Sequence, residues 1–321
     1  MQPEIVSLGE PMLEFNAETT GRLKDVSTFK RGWGGDTSNF AVAVARLGRS
    51  VGYMCRVGDD EFGKCFLELW RTEGVDTSRI IVEENGFTGI YFISIREEGE
   101  HDFTYYRADS PASHLSINDL DPKYIEDAKL FHTSGISQAI SESSRETVFK
   151  AMEIAKRSGV LVTYDPNLRL KLWPINTARA VITYAFELAD VVFPSIEDVR
   201  TLLGPVSPEA AARQILKRGP KIVVIKLGAD GCLVVTRDQV VRSPGFRVTP
   251  VDTTGAGDAF DGAFAVGLLE KWMIEETAEF ANAVGALTTL KKGAVAPLPR
   301  REQVDEYITS QSQKGAVGEI N

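Results

Sequence analysis

The chain has 321 residues, a formal net charge of −9 and a pI near 5.1, with 43% hydrophobic and 25% charged residues. These values are typical of a folded globular protein with a sizeable core, and they exclude a disordered or collagen-like chain. DNA and RNA phosphates are bound by clustered Lys and Arg, so the acidic balance argues against a nucleic-acid partner.

The cysteines and the apolar runs bear on the cellular compartment. Cys55, Cys65 and Cys232 are odd in number and lack CxxC spacing, which indicates neither a zinc site nor a disulfide framework. The opening MQPEIVSLGE lacks the pattern of a signal peptide, and no segment has eighteen uninterrupted apolar residues. We therefore expect reduced thiols, no membrane partner and a cytoplasmic location.

Short apolar runs bounded by turn residues alternate with segments of helical period. The predicted strands are Ile5–Leu8, Gly52–Cys55, Leu130–Thr133, Val160–Tyr164, Val191–Phe193 and Ile222–Leu227. The predicted helices include Asn39–Leu47, Glu146–Arg157 and Glu209–Lys217. Strands that alternate with helices predict an α/β fold, with a mostly parallel sheet covered on both faces.

Two segments, 14–31 and 88–108, instead alternate polar with apolar residues, as in GIYFISIREEGEHDFTYY with a turn at Glu98 and Gly99. They predict a small β lid inserted into the α/β body. The polar, glycine-containing residues 310–321 predict a flexible tail. The body then comprises residues 1–13, 32–87 and 109–309.

The stretch TTGAGDAFDGAF (residues 253–264) is the first candidate for chemistry. Gly255 and Gly257 permit a tight turn, and the apolar spacing after them predicts a helix with Asp258 in its first turn. Free N–H groups and the positive end of the helix dipole can hold an anion there. An isolated GxGD equally describes the ordinary start of a buried helix. Asp261 lies one turn deeper, where we expect a structural role.

Two further glycine turns carry polar residues. IVVIKLGADGCLVV predicts a β-hairpin with an Asp-Gly turn at Asp230 and Gly231, which leaves room for a nucleotide to rest on the turn. GWGGDTSNF leads into another helix, and Asp36 and Asn39 on its opening turn could cap that helix or bind substrate hydroxyls.

These motifs occur in a fixed order: GGDTSN at 34–39, VGDDEFG at 57–63, DPNLR at 165–169, KLGADG at 226–231 and DTTGAGDAFDGAF at 252–264. Together they resemble the PfkB/ribokinase-like family of carbohydrate kinases over nearly the whole chain. The resemblance implies a three-layer α/β/α body with a β lid. It also implies transfer of the ATP γ-phosphoryl group to a sugar hydroxyl.

The resemblance assigns roles to individual residues. Asp258 matches the catalytic base, and the backbone of Gly255, Ala256 and Gly257 matches the anion hole. We expect Asp258, at a helix start, to stay ionised and to act as a weak base. The residues expected near the nucleotide are Asn167, Ser195, Lys226, Gly228, Gly231, Gly255, Gly257 and Asn282.

The resemblance also implies cations. Where the family often has Asn-x-x-Glu, PSIEDV places Ser195 and Asp198, with Glu197 adjacent. We expect Mg²⁺, which keeps several waters when it bridges phosphates, to be held through Asp198 or Glu197. Asp252 matches a position at which the family commonly binds a monovalent cation such as K⁺.

The substrate is indicated by HDFTYYRADSPASHL (residues 101–115) and by Arg169. Two arginines that converge, Arg107 and Arg169, would suit a carboxylate, because guanidinium groups bind carboxylates in a bidentate manner. Each arginine taken alone is better explained as an ordinary surface charge or ion pair.

As a set, the candidate residues resemble the substrate positions of 2-keto-3-deoxygluconate kinases; they are Gly34, Gly35, Asp36, Asn39, Tyr91, Tyr105, Arg107, Arg169 and Asp258. This implies phosphorylation of 2-dehydro-3-deoxy-D-gluconate to its 6-phosphate. Fructokinase, another sugar kinase of the family, and a catalytically silent sugar-binding homologue remain alternatives. An exposed β lid further predicts a homo-oligomer that pairs the lids.

Overall fold

A computed structural model of the chain describes residues 2–96 and 101–318. Its strands are β1 (Ile5–Leu8), β2 (Met12–Thr20), β3 (Phe29–Gly34), β4 (Val51–Gly58), β5 (Asp76–Glu83), β6 (Ile90–Ile95), β7 (His101–Tyr106), β8 (Leu130–Ser134), β9 (Leu161–Asp165), β10 (Val191–Val192), β11 (Ile222–Lys226), β12 (Cys232–Thr236) and β13 (Val240–Ser243). Each strand predicted from an apolar run is present in the central sheet.

The helices are α1 (Asp36–Arg46), α2 (Glu61–Thr72), α3 (Pro122–Glu126), α4 (Gly135–Ala139), α5 (Glu142–Arg157), α6 (Ile175–Leu188), α7 (Ile196–Leu203), α8 (Pro208–Leu216), α9 (Ala256–Glu270), α10 (Ile274–Thr288) and α11 (Arg301–Gly318). None of the helices described is long and apolar enough to cross a membrane. Because α11 runs to Gly318, residues 310–318 are helical; the flexibility of this segment stays a prediction.

The central sheet has the order β13-β12-β11-β10-β9-β8-β1-β4-β5 across the described residues. Its pairs are parallel from β5 to β11, and β12 and β13 are antiparallel additions at one edge. Alternate residues of β11 pack on opposite faces: Val224 contacts the core formed with α1, α9 and α10, whereas Val223 and Ile225 contact the core formed with α5, α6 and α8. The expected α/β fold, with a mostly parallel sheet covered on both faces, is confirmed.

The lid is a separate four-stranded sheet in the order β3-β2-β6-β7. Strands β2 and β6 pair in parallel, and each has an antiparallel partner at the edge. The sheet begins at Met12 and includes Gly34, so it extends slightly beyond the predicted segments 14–31 and 88–108. The turn expected at Glu98 and Gly99 lies outside the described residues. The division into separate domains stays a prediction.

The hairpin predicted at β11 and β12 is present, but its turn differs from the two-residue Asp-Gly type. Lys226 pairs with Cys232, and residues Gly228–Asp230 between them form a 3-10 turn. The N–H of Gly231 donates to the carbonyl of Gly228 at 3.1 Å, and the N–H of Leu227 donates to the carbonyl of Gly231 at 2.8 Å. Gly228 and Gly231 both have positive φ, +63° and +87°, which favours glycine there.

Candidate active site

A cleft of about 930 Å³ lies between the central sheet and the lid. The body contributes residues that follow the carboxyl ends of β9 and β11 and the first turns of α1 and α9, which is where open α/β sheets bind ligands. The lid contributes Met12, Tyr91, Phe103, Tyr105 and Arg107. Residues distant in sequence therefore converge on one cavity.

The first turn of α9 closes one end of the cleft. Gly255 has φ +77° and packs so closely on Ala294 that an added Cβ would lie 2.9 Å from its side chain, so glycine is required. Gly255, Gly257 and Asp258 line the cleft, whereas Ala256 is not among the lining residues. First-turn N–H groups have no partner within their own helix and can bind an anion. The predicted anion hole remains a hypothesis with suitable geometry.

Asp258 faces a polar wall formed by the opening turn of α1. The Asn39 amide donates to Asp258 Oδ2 at 2.8 Å. The pKa of Asp258 is raised to about 7: burial is the largest cause and the negative charge of Asp36 acts in the same direction, while the Asn39 hydrogen bond opposes both effects. We expected Asp258 to stay ionised and to be a weak base because of the helix dipole; burial and the neighbouring carboxylates instead raise its pKa.

Asn39 and Asp36 do more than begin a helix. Asp36 accepts a hydrogen bond from Asn167 Nδ2 at 3.0 Å, and its pKa is raised chiefly by burial. Asn39 Oδ1 is buried and has no hydrogen-bond partner among the described residues. Since buried polar atoms usually have partners, this oxygen is a ready acceptor for a substrate hydroxyl. The geometry thus favours a polyol site over simple capping.

A buried cluster of Lys226, Asp165 and Asp261 lies behind the anion hole. Lys226 Nζ donates to Asp165 Oδ2 at 2.8 Å and to both Asp261 oxygens at 3.1 Å. Burial raises the pKa of Asp261 well above its ordinary value despite Lys226. Burial acts in the same direction on Asp165, but the charge of Lys226 and the hydrogen bonds from its neighbours hold that pKa below the ordinary value. The pKa values of these two neighbouring carboxyl groups are thus displaced in opposite directions.

Lys226 was expected near the nucleotide, and the cluster shows that its ammonium group also has partners within the protein. Lys226 nevertheless lines the cleft, and a Cβ on Gly257 would lie 3.4 Å from Nζ. The positive charge thus lies next to the first turn of α9. It can stabilise an anion there by its charge without leaving its carboxylate partners.

The residues expected near the nucleotide divide into two groups. Asn167, Ser195, Lys226 and Gly228 line the cleft. Gly231 and Asn282 are not among the lining residues. The Asn282 amide instead donates to Ser243 Oγ at 2.9 Å and to the Pro244 carbonyl at 3.2 Å, so it holds the loop that follows β13. Contact between Asn282 and a nucleotide stays a prediction.

The two acids considered for Mg²⁺ have different surroundings. Asp198 is buried and forms a capping box with Ser195; its oxygens accept from the N–H groups of Leu168 at 3.0 Å and Ser195 at 2.8 Å. Glu197 is exposed, and both acids line the cleft. Within the described residues no cluster of three or more metal-ligating side chains occurs. Contact of either acid with the water shell of a phosphate-bound ion stays a prediction.

Asp252 is buried and already engaged by two loops. Its Oδ1 accepts from the Thr254 hydroxyl at 2.7 Å, and its Oδ2 accepts from the Gly293 N–H at 2.8 Å. These bonds position the loop before α9 against the loop after α10. A monovalent cation at Asp252 stays a prediction.

Both arginines expected to bind the substrate line the cleft, and the charge of each opposes the rise that burial causes in the pKa of Tyr105. Their partners differ. Arg107 forms a buried ion pair with Glu10, whereas Arg169 is exposed and its Nη1 donates to the Leu168 carbonyl at 3.1 Å. The predicted convergence of two arginines is supported by position, but only Arg169 lacks a carboxylate partner in the described structure.

The two remaining lid-side candidates are structurally linked. Gly34 does not line the cleft; a Cβ there would lie 2.3 Å from the Tyr91 hydroxyl, so Gly34 makes room for that ring. The Tyr91 hydroxyl donates to buried Glu14 at 2.5 Å. Gly35 has φ +96° and lines the cleft next to Asp36.

Sequence reasoning missed the buried partners Glu10 and Glu14 and the role of Asp165 as the counter-ion of Lys226. Each of these acids lies on a strand or shortly after one, and the apolar pattern of those strands was interpreted only as core. An acid directly after β1, in LGEPM, was an available signal for Glu10.

Solved structures share this architecture. An uncharacterized sugar kinase from Pyrococcus horikoshii in complex with ATP is 35% identical, with a TM-score of 0.83 over 93% of this chain and 96% of that one. A fructokinase from Vibrio cholerae O395 in its fructose-, ADP- and calcium-bound form is 29% identical, with a TM-score of 0.84 over 95% and 98%. The fold is that of ribokinase-like sugar kinases.

The family follows from sequence comparison. The pfkB family carbohydrate kinase model matches residues 2–301, and the chain therefore belongs to the pfkB family of carbohydrate kinases. Fructokinase-1 of Zea mays is 37% identical over 314 residues, covering 95% of this chain and 97% of the relative. A 2-dehydro-3-deoxygluconokinase of Bacillus subtilis (strain 168) is 35% identical over 314 residues, covering 97% of each chain.

Proposed function

We propose that this sugar kinase transfers the γ-phosphoryl group of ATP to 2-dehydro-3-deoxy-D-gluconate and forms its 6-phosphate. One observation carries the choice of an acid sugar: Arg169, which has no carboxylate partner in the described structure, lines the same cleft as Asp258 and Arg107. ATP as donor is supported by the ATP-bound structural relative. The relative from Bacillus subtilis supports the keto acid, but the fructokinase relatives make fructose the alternative.

Each step of the proposed reaction is assigned to particular residues of the chain. Asp258, with a pKa near 7, accepts the proton of the attacking hydroxyl, while Asn39 holds the carboxylate in place. The first turn of α9, with Lys226 behind it, stabilises the charge on the transferring phosphoryl group. ATP supplies that group, and Mg²⁺ would be held with its waters near Glu197. The intact base and glycine turn favour an enzyme over a silent homologue.

Arg169→Gln tests the substrate assignment. We expect the KM for 2-dehydro-3-deoxygluconate to rise about tenfold to a hundredfold, because a charge-assisted hydrogen bond to the carboxylate is lost. The kcat/KM for fructose should change little. The measurement is a coupled ATP assay of both enzymes with the keto acid, fructose, ribose and adenosine side by side.

Lys171→Gln is the matched control, because Lys171 is another exposed cation of the same loop that lines the same cleft. It should raise the KM for the keto acid less than Arg169→Gln does. Equal effects would assign the recognition to general positive charge, and a wild-type preference for a neutral sugar would refute the proposal.

We further propose that the enzyme acts in the cytoplasm as a dimer whose lids pair. The lid face opposite the cleft carries Phe92, stacked on Phe15 at 5.1 Å between ring centroids, and an exposed Tyr106. Light scattering should give twice the chain mass of 35.2 kDa, and Tyr106→Asp should shift the protein toward monomer. A monomeric wild type would contradict this proposal.

A further inference from the structure

Glu10 is a fully buried carboxylate at the wall of the cleft. It follows β1 directly and lies under the lid, where its side chain has no exposed surface. The Ser110 hydroxyl donates to Glu10 Oε1 at 3.0 Å. A Cβ on Gly89 would lie 3.2 Å from the same oxygen, so the carboxylate is closely packed.

The charged partner of Glu10 is Arg107, whose side chain is only 9% exposed. Arg107 Nη2 donates to Glu10 Oε2, while its Nε is buried and has no hydrogen-bond partner among the described residues. Arg107 nevertheless lines the cleft, with its guanidinium 5.8 Å from the centre of the Tyr105 ring. Glu10 therefore holds an arginine that lines the cleft.

We propose that Glu10 is a positioning residue that determines substrate specificity: it fixes Arg107 at the cleft wall, balances its charge, and so limits how strongly the cleft favours an anionic over a neutral sugar. This inference rests on the proposed function in that a sugar occupies this cleft. It does not depend on which sugar the wild type prefers, because it concerns the shift in preference when Glu10 changes.

The difference between the paired charge of Arg107 and the unpaired charge of Arg169 supports the proposal. A buried charge pair presents little net field to a ligand, whereas a single buried charge acts strongly because the surroundings screen it poorly. Burial raises the pKa of Glu10, but Arg107 and the Ser110 hydrogen bond oppose that rise. Arg169, with no ion-pair partner in the described structure, then supplies most of the attraction for a carboxylate.

The experiment is the ratio of kcat/KM for 2-dehydro-3-deoxygluconate to that for fructose, measured for wild type and Glu10→Gln. Glutamine keeps an oxygen acceptor for Arg107 and removes the negative charge. We expect the ratio to rise about tenfold in favour of the acid, mainly through a lower KM for the acid. Glu10→Asp, which restores the charge, should return the ratio toward that of wild type.

Glu73→Gln is the matched control. Glu73 forms a similarly shielded pair with Arg46, 2.6 Å apart, and neither residue lines the cleft. Loss of the Glu73 charge should lower the stability of the protein without changing the ratio of kcat/KM for the keto acid to that for fructose. Ser110→Ala removes the hydrogen bond that opposes the rise of the Glu10 pKa, so Glu10 is more readily neutralised. The ratio should then move in the same direction as in Glu10→Gln by a smaller factor, and this second variant serves if Glu10→Gln does not fold.

The inference is overturned if folded Glu10→Gln and Ser110→Ala both keep the wild-type ratio, or if Glu73→Gln moves it equally. The proposed function fails separately, through a wild-type preference for fructose. A fructose-preferring wild type whose ratio still shifts toward the acid in Glu10→Gln would retain the inference and refute only the substrate assignment.

Discussion

Asp258→Asn is expected to lower kcat by about 10²- to 10⁴-fold, with a much smaller change in the KM for the sugar. The asparagine keeps a carbonyl oxygen for the Asn39 amide but cannot accept the hydroxyl proton. Steady-state kinetics with the preferred sugar measure both constants. Turnover equal to that of wild type would contradict the role of Asp258 as the base.

Asp261→Asn is the matched control, because Asp261 lies on the same helix and burial raises its pKa, which favours the neutral form that asparagine mimics. Its amide oxygen can still accept from Lys226, so most activity should remain. In wild type, the pH dependence of kcat/KM should report the titration of Asp258. Because the pKa of Asp258 is about 7, kcat/KM should rise as the pH is raised through 7, and this limb should be absent in Asp258→Asn.

Lys226→Met is expected to give the largest loss of stability, about 3 to 5 kcal/mol in the free energy of unfolding. The substitution leaves Asp165 buried without the ammonium that lies 2.8 Å away. Denaturant unfolding monitored by fluorescence measures the change at constant pH. Lys226→Met with Asp165→Asn should recover much of the loss, because the charge of the cluster is again balanced.

An exposed ion pair provides the comparison for Lys226. Lys129 is paired with Glu4 at 2.7 Å but has 63% of its side chain exposed. Lys129→Met should therefore change the free energy of unfolding by less than about 1 kcal/mol. If both lysine substitutions cost the same, the cluster of Lys226, Asp165 and Asp261 does not stabilise the protein in the way its burial indicates.

The strands and helices could be predicted because each depends on the spacing of apolar residues that are close together in the sequence. Apolar runs predicted the strands from Ile5–Leu8 to Ile222–Leu227, and helical spacing predicted α1, α5 and α8. The tight turn predicted at Gly255 and Gly257 is present, and Gly255 has a positive φ of +77°, which few residues other than glycine adopt. The turn between β11 and β12 was predicted less well, since a 3-10 turn and a two-residue turn both use glycine.

The electrostatics of the site depend on residues far apart in the chain. Asp258 and Asn39 are separated by 219 positions, and Glu10 and Arg107 by 97. A local sequence pattern does not show that residues so far apart in the chain are in contact. The raised pKa of Asp258 and the ion pair of Arg107 with Glu10 were therefore not predicted. Ser195 and Asp198 illustrate the same limit, because a motif position assigned to ligands also forms a helix cap.

The sequence by itself determined the class of fold, the family and the chemical groups available at the cleft. It did so because turn geometry, apolar periodicity and the ordered motifs are written in neighbouring residues. Only the tertiary structure decided which of those groups are free to meet a substrate and which are bound to one another. The reason is physical: burial raises the pKa of Asp258, and ion pairs engage Lys226 and Arg107, and both effects arise only when distant segments pack together.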